Sequence, residues 1–324
     1  MDIILPVAGL GSRLRPQTWT KPKPLVGLAG KPMLAHVLDR LLPLNPAKLV
    51  FITGFLGDQI ETWAKANYDL PLAFVEQPEM LGQTDAIVRT RDIVSGDALV
   101  LFPDMLFEAD FGVIAGTSSD VIAFVKEVDD PSAFGIAVLE GERVVKLVEK
   151  PQDPISRLAL MGIYYFKDMG ALFAAIDEQM ARRIKLKNEY FLADAVQLMI
   201  DGGAIVTTSP VEVWEDCGSV ENLLSTNRFL LDREPPPPSQ REGATIVPPS
   251  FVAESAVLER AVVGPHASIG EHAVVRDAVV RDAILEDGAS VEGAVVAHSI
   301  VGRKATVRGR ANVLNVGDTS AVEL

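Results

Sequence analysis

Apolar and polar positions follow two rhythms from Met1 to Asp232. Short, nearly uninterrupted apolar runs at residues 2–8, Lys48–Thr53, Leu72–Glu76 and residues 98–102 have the length and bounds of buried parallel strands. Between them the apolar residues recur at helical spacing. Pro32 is suited to open a helix through Met33, Leu34, Val37, Leu38 and Leu41, and further helices are predicted over 59–67 and 84–93. The middle of the chain shortens its period to two. Strands are predicted over 120–128, 135–139 and 144–149, the last two joined by a Glu140-Gly141-Glu142 hairpin, and over Leu158–Phe166. Helices over 169–180 and 190–201, a strand over 204–213 and a closing helix over 220–232 complete the part. Strands alternating with helices in this way predict an α/β fold around a mostly parallel or mixed sheet.

A boundary follows. Pro235, Pro236, Pro237 and Pro238 stand in a row and cannot propagate a helix or a central strand, so residues 233–245 read as a stiff linker. Beyond it the composition shifts to Val, Ala and Gly with single charges. Apolar pairs recur as Val262-Val263, Val274-Val275, Val279-Val280, Ile284-Leu285, Val295-Val296 and Ile300-Val301, at steps built from fives and sixes. Alanine recurs alongside at 261, 267, 273, 278, 283, 289, 294 and 305. A short repeat of this kind predicts a parallel β-helix whose coils stack apolar residues on one another. The segment Gly264-Pro265-His266-Ala267-Ser268-Ile269-Gly270 resembles the hexapeptide repeat of left-handed β-helices. The expected organisation is therefore one domain over 1–232, a linker over 233–245 and a left-handed parallel β-helix over 246–324.

Composition narrows the setting. The 324 residues are 48% hydrophobic and 23% charged, a globular balance that excludes a wholly disordered chain. One cysteine, Cys217, cannot form an internal disulfide, and the N-terminus lacks the basic stretch of a signal peptide. No apolar run approaches the roughly 20 residues that span a bilayer. A cytoplasmic protein without a membrane partner is expected. The net charge of −14 argues against nucleic acid as a partner. Yet no acid occurs from Ile3 to Leu38, while Arg13, Arg15, Lys21, Lys23 and Lys31 do, so a local site for a small anion is expected there.

The chemistry concentrates near that island. In Ala8-Gly9-Leu10-Gly11-Ser12-Arg13 two glycines after the first strand let backbone amides approach a phosphate, and Arg13 adds a planar cation for its oxygens. The third glycine of a dinucleotide fingerprint and the Lys of a Walker A loop are both missing. Downstream, Pro22 and Pro24 restrict Lys23 from both sides. Asp104 follows one apolar strand and Asp216 another. Two such carboxylates can share a Mg²⁺ that bridges phosphate oxygens, although strand-end aspartates also serve as helix caps.

The ordered set GxGxR at 9–13, PKPL at 22–25, GKPML at 30–34 and Trp214-Glu215-Asp216-Cys217-Gly218 resembles the sugar-1-phosphate nucleotidylyltransferases, also called nucleotide-sugar pyrophosphorylases. The resemblance spans roughly positions 1–232, and many members also carry a β-helix tail. It implies a three-layer, Rossmann-like nucleotidyltransferase domain and the joining of a nucleoside triphosphate to a sugar 1-phosphate with release of pyrophosphate. It implies Arg13 and Lys23 as catalytic cations, with Ala8, Gly9, Leu10, Gly11 and Ser12 around the triphosphate. Gln77 and Gly82 would lie at the base, where an amide can donate and accept. Gly135, Glu149, Lys150, Gly162 and Asp194 would lie on the sugar-phosphate side. Asp104 and Asp216 would hold Mg²⁺.

The chain departs from many members at Leu10 and Met105, which leaves base and sugar open. Two rival readings are a type-A glycosyltransferase, which would favour a D-x-D segment absent from Asp104-Met105-Leu106, and a non-catalytic regulatory homologue. No cysteine–histidine cluster has zinc spacing. His298 in the repeat admits an acyltransferase reading, but the flat faces of stacked coils better suit subunit contacts, so a homo-oligomer is expected.

Overall fold

The computed structural model describes residues 1–153, 155–237 and 240–310. Pro238 and Ser239 of the linker, and residues 311–324 of the repeat, lie outside them. The described chain forms two compact units, one of residues 1–26 and 31–222, the other of 27–30 and 223 onward.

In the first unit the chain runs β1 (Asp2–Pro6), α1 (Met33–Leu41), β2 (Lys48–Thr53), α2 (Gly57–Asn67), β3 (Leu72–Glu76), α3 (Gln83–Val88), β4 (Ala98–Leu101) and β5 (Met105–Ala109). It continues through β6 (Val121–Glu127), β7 (Gly135–Glu140), β8 (Arg143–Glu149), β9 (Leu158–Phe166), α4 (Met169–Ala181), α5 (Leu192–Asp201) and β10 (Val206–Asp216). The strands form one sheet in the order β3-β2-β1-β4-β9-β6-β10-β8-β7, with β5 on β10. β1 lies parallel to both β2 and β4. β9 runs antiparallel to β4 and β6, which makes the sheet mixed. Alternate residues such as Ile4, Val50 and Val100 pack with Ile87, Leu172 and Val196 of the helices in one core. Their neighbours Ile3, Leu49 and Leu99 are equally buried, so both faces of these strands are covered.

Several elements depart from the sequence pattern. The helix expected over 84–93 stops at Val88, and the one expected from 190 starts at Leu192. β5 is a strand that the pattern did not indicate, because Pro103-Asp104 reads as the end of a strand rather than a corner between two. β10 extends to Asp216 instead of ending at Val213, because Trp214, Glu215 and Asp216 pair with Phe107, Leu106 and Met105 of β5.

The second unit opens with most of the helix α6 (Val220–Arg233), whose Leu223, Thr226, Asn227, Leu230 and Leu231 are buried. Asn227 donates to the His266 carbonyl and Arg228 pairs with Asp282 at 2.8 Å. The division between the compact units falls inside the first turn of α6, between Asn222 and Leu223. Among the described residues the short strands after it pair in parallel. Val262 stands opposite Val279 and Val279 opposite Val295, so the chain keeps returning to the same row at a nearly constant interval. A second row runs through Val257, Val274, Ser290 and Thr306. Val263 and Val280 stack inside with Ala267, Ala283 and Ala289, small residues that let successive rows close up. Among the described residues no helix is long and apolar enough to cross a membrane.

Gly82 precedes α3 at φ +121°, and a Cβ there would meet the Tyr190 backbone nitrogen at 2.3 Å. Gly96 also has a positive φ, but nothing lies within 4 Å of its missing Cβ. Gly82→Ala should lower the unfolding midpoint by the equivalent of about 2 kcal/mol or more, and Gly96→Ala by about 1 kcal/mol. Thermal melts of the two variants against the parent check this ranking.

Candidate active site

The loops beyond the ends of β1, β3 and β4 enclose a cavity of about 640 Å³. Ligands in open α/β sheets bind at this edge, where helices and loops leave the strands. The turn after β1 carries Ala8, Gly9, Gly11, Ser12 and Arg13 into the wall. Gly11 adopts φ +61°, and a Cβ there would sit 3.0 Å from the Lys23 Cβ, so the glycine lets the two loop arms close. Pro22 precedes and Pro24 lies within a short 3₁₀ turn, and Lys23 extends from it to place Nζ 3.2 Å from Asp104 Oδ2. The Lys23 side chain is 12% exposed and that of Asp104 53%.

The two aspartates meet through the backbone. The Cys217 amide donates to the Asp104 carbonyl at 3.1 Å, and Asp216 stands opposite Met105 in the β5–β10 ladder. Asn222 donates from Nδ2 to Asp216 Oδ2. Gly218 completes the corner: a Cβ on it would meet Arg13 Nη2 at 2.8 Å and Asp216 Oδ1 at 2.9 Å. Arg13 and Asp216 thus flank the same glycine, and Lys23 reaches Asp104 beside them.

The far end of the cavity is built from the β7–β8–β9 region. Glu149 ends β8, and Lys150 follows at φ +43° with Nζ 3.5 Å from Glu149 Oε1 and 4.8 Å from the Phe191 ring centre. Burial pushes the Glu149 carboxyl above its ordinary range; Lys150 opposes that shift, while Asp194 and Glu189 reinforce it. Gly135 lies against Glu149, where a Cβ would come within 2.8 Å of Oε2. Phe134 and Trp214 meet edge to face at 5.4 Å and form an aromatic wall. At the β3 end Gln77 is buried, and its amide nitrogen donates to the Gly82 carbonyl at 3.0 Å and to Asp85 at 2.9 Å.

Fourteen of the residues expected in the site line this one cavity: Ala8, Gly9, Gly11, Ser12, Arg13, Lys23, Gln77, Gly82, Asp104, Gly135, Glu149, Lys150, Gly162 and Asp216. Two do not. Leu10 turns outward and is 44% exposed, because the glycines beside it take the inward positions. Asp194 is half-buried in the first turn of α5 and acts on Glu149 through its charge rather than as a wall. Met80, Gln83, Tyr164 and Glu189 line the cavity without having been singled out. Glu189 was detectable, since it follows a strongly basic stretch and precedes an apolar helix; Tyr164 was not, lying within a strand that is apolar throughout.

The hollow offers cations for a polyphosphate at one end and a carboxylate–lysine pair at the other. Residues 2–233 match the family described as "Nucleotidyl transferase", and the chain belongs to that family. It is 32% identical over 234 residues to the bifunctional protein GlmU of Methanocaldococcus jannaschii, a match covering 72% of this chain and 55% of that one. The chain therefore spans about half the length of that relative. It is 30% identical over 232 residues to AglF of Haloferax volcanii, a UTP–glucose-1-phosphate uridylyltransferase, covering 68% of this chain and 93% of that one. A solved UDP-glucose pyrophosphorylase with UDP-glucose shares the fold at a TM-score of 0.60 and 22% identity, over 72% of this chain and 99% of the other.

Because its carboxyl is raised in the folded state, Glu149 contributes stability while protonated and loses it as pH rises through the folded value. Glu149→Gln cannot ionise and escapes that loss. Its thermal midpoint relative to the parent should therefore be higher at pH 8 than at pH 4. Melts at the two pH values measure the difference.

Proposed function

We propose that the chain is a sugar-1-phosphate nucleotidylyltransferase, joining a nucleoside triphosphate to a sugar 1-phosphate and releasing pyrophosphate. The observation that carries the reading is the convergence of Arg13, Lys23, Asp104 and Asp216 on one cavity whose other end holds Glu149 and Lys150. The phosphate oxygen of the sugar attacks the α-phosphorus in line, and the bond from that phosphorus to pyrophosphate breaks. Both reactants are anions, so cations and positioning dominate the barrier. Arg13, Lys23 and the amides of residues 8–12 hold the triphosphate. Lys150 holds the sugar phosphate, Glu149 accepts from sugar hydroxyls, and Gly135 and Gly162 leave room for the ring. Gln77 and Gly82 face the base. The attacking phosphate is already ionised near neutral pH, so no side chain is needed to take a proton from it.

The residues fit Mg²⁺. Asp104 and Asp216 would supply hard oxygen donors on adjoining backbone. Few protein ligands suit an ion that keeps waters and takes phosphate oxygens. When bound, Mg²⁺ supplies charge neutralisation at the phosphates. The strand after Asp104 offers no second carboxylate of a D-x-D segment, since Leu106 there is fully buried, and this favours the present reading over a type-A glycosyltransferase. The name of the Haloferax volcanii relative, a UTP–glucose-1-phosphate uridylyltransferase, supports uridylyl transfer as one candidate among the bases.

We also propose residues 1–232 as the catalytic part and the rows beyond residue 246 as a left-handed β-helix that assembles copies of this chain. The setting is the cytoplasm, where the lone buried Cys217 stays reduced.

A matrix of nucleoside triphosphates against sugar 1-phosphates, read by pyrophosphate release, tests the reaction. Asp104→Ala and Asp216→Ala should each lower kcat by about a hundredfold or more while leaving the thermal midpoint within a few degrees. Unchanged turnover in either removes that residue from the metal site.

A further inference from the structure

Gln77 is buried at 4% exposure, lines the cavity, and makes contacts that leave its amide little choice. Its nitrogen Nε2 donates to the Gly82 carbonyl at 3.0 Å and to Asp85 Oδ2 at 2.9 Å. A carbonyl and an ionised carboxylate can only accept, so the NH₂ side of the amide must face them. Asp85 is itself fixed. It is 6% exposed, it sits in the first turn of α3, and Arg89 one turn later donates to both of its oxygens, from Nη2 to Oδ1 at 3.1 Å and from Nε to Oδ2 at 3.3 Å. The fork geometry holds the carboxylate in one plane. The Gln77 backbone amide is engaged as well, donating to the Thr53 carbonyl at 2.8 Å.

We propose that Asp85 is a positioning residue whose carboxylate fixes the Gln77 amide with Oε1 as its only group for the nucleotide, and so selects a base carrying a ring N–H. The inference rests on the nucleotidylyltransferase reading. Both donors of the amide are spent on Gly82 and Asp85, so the polar atom that Gln77 offers to a base is an acceptor. Uracil and thymine at N3 and guanine at N1 present a ring N–H to such an atom. Cytosine at N3 and adenine at N1 present a lone pair, which would leave two acceptors facing each other. A buried acceptor–acceptor clash of this kind typically discriminates by about tenfold or more. Asp85 does not line the cavity; it acts through Gln77.

The position tolerates a sharp test. Asp85→Asn keeps the shape but turns the partner into a group that donates as well as accepts, so the Gln77 amide is free to turn and offer its NH₂ to the base. Arg89→Ala removes a comparable ion pair yet leaves the Asp85 carboxylate as an acceptor for Gln77. Equilibrium dialysis of UTP, dTTP, GTP, CTP and ATP against parent and variants, together with kcat/KM for each triphosphate, reads the outcome. The parent should favour UTP, dTTP and GTP as a group, at least one of them by tenfold or more over both CTP and ATP. Asp85→Asn should compress that ratio by about tenfold, while Arg89→Ala keeps it within about threefold even where its melting temperature drops. A parent that prefers CTP or ATP, an Asp85→Asn ratio unchanged within twofold, or an equal collapse in Arg89→Ala overturns the proposal. A chain that binds triphosphates with this preference but releases no pyrophosphate sinks the transfer reaction and leaves the amide-locking role standing. A chain that binds no triphosphate at all sinks both.

Discussion

The contact between the Lys23 ammonium and the Asp104 carboxylate, 81 residues apart in sequence and 3.2 Å apart in space, sets the terms for the rest of the first unit. A cavity that gathers Arg13, Lys23, Asp104 and Asp216 concentrates charge in one place. Such a set is costly to desolvate and is held only where rigid elements aim each side chain. Two prolines aim Lys23, a left-handed glycine lets its neighbour loop close on it, and two strands hold the aspartates. The bond from the Cys217 amide to the Asp104 carbonyl ties those strand ends together without using either carboxylate. The carboxylates are held separately, Asp104 by Lys23 and Asp216 by Asn222.

The same logic appears at the opposite end of the hollow. Glu149 and Lys150 are adjacent in sequence, which would normally send their side chains apart along a strand. The strand ends at Glu149, and the positive φ of Lys150 turns the chain so that the ammonium returns toward the carboxylate and the Phe191 ring. Burial raises the Glu149 carboxyl while Lys150 restrains the rise, so the group is held in tension between solvent exclusion and its partner. At the Gln77 end of the hollow, the Gln77 amide donates to Asp85, which Arg89 holds in turn. Polar positions that look dispensable in sequence become orienting devices when buried beside one another.

The second unit is governed by repetition instead. Its strands are short, and each finds its partner one turn of the repeat away, so every row depends on the rows above and below. Small and β-branched residues dominate the inside, where Leu258 and Leu285 are also buried, and neighbouring rows lie about 4.8 Å apart. Charges follow the same register: Glu259, Arg276, Glu292 and Arg308 succeed one another in one column with alternating sign, and each pairs with a neighbour. Cross-strand pairs of opposite charge of this kind favour one register over a slip.

The apolar runs determined most of the strands and long helices, because burial on a regular element writes its period into the chain. The ladders of β1, β2 and β4 fall where those runs lie. The glycine, proline and lysine spacings from Gly9 to Leu34 likewise marked a segment whose Gly9, Gly11, Arg13 and Lys23 line the hollow, since backbone constraints of that kind act locally. What lay beyond reach depended on contacts between distant segments. β5 and the end of β10 from Trp214 to Asp216 exist because they pair with each other, and neither has a pattern of its own. Leu10 was placed outward and Asp194 behind Glu149 by packing around them, and α6 joined the second unit through buried bonds that no boundary signal in the prolines records. Local period and local stereochemistry are properties of neighbouring residues, and so the sequence determined them by itself. Which polar groups face a cavity and which stand behind its wall is set by desolvation and partner geometry, and only the tertiary structure decided that.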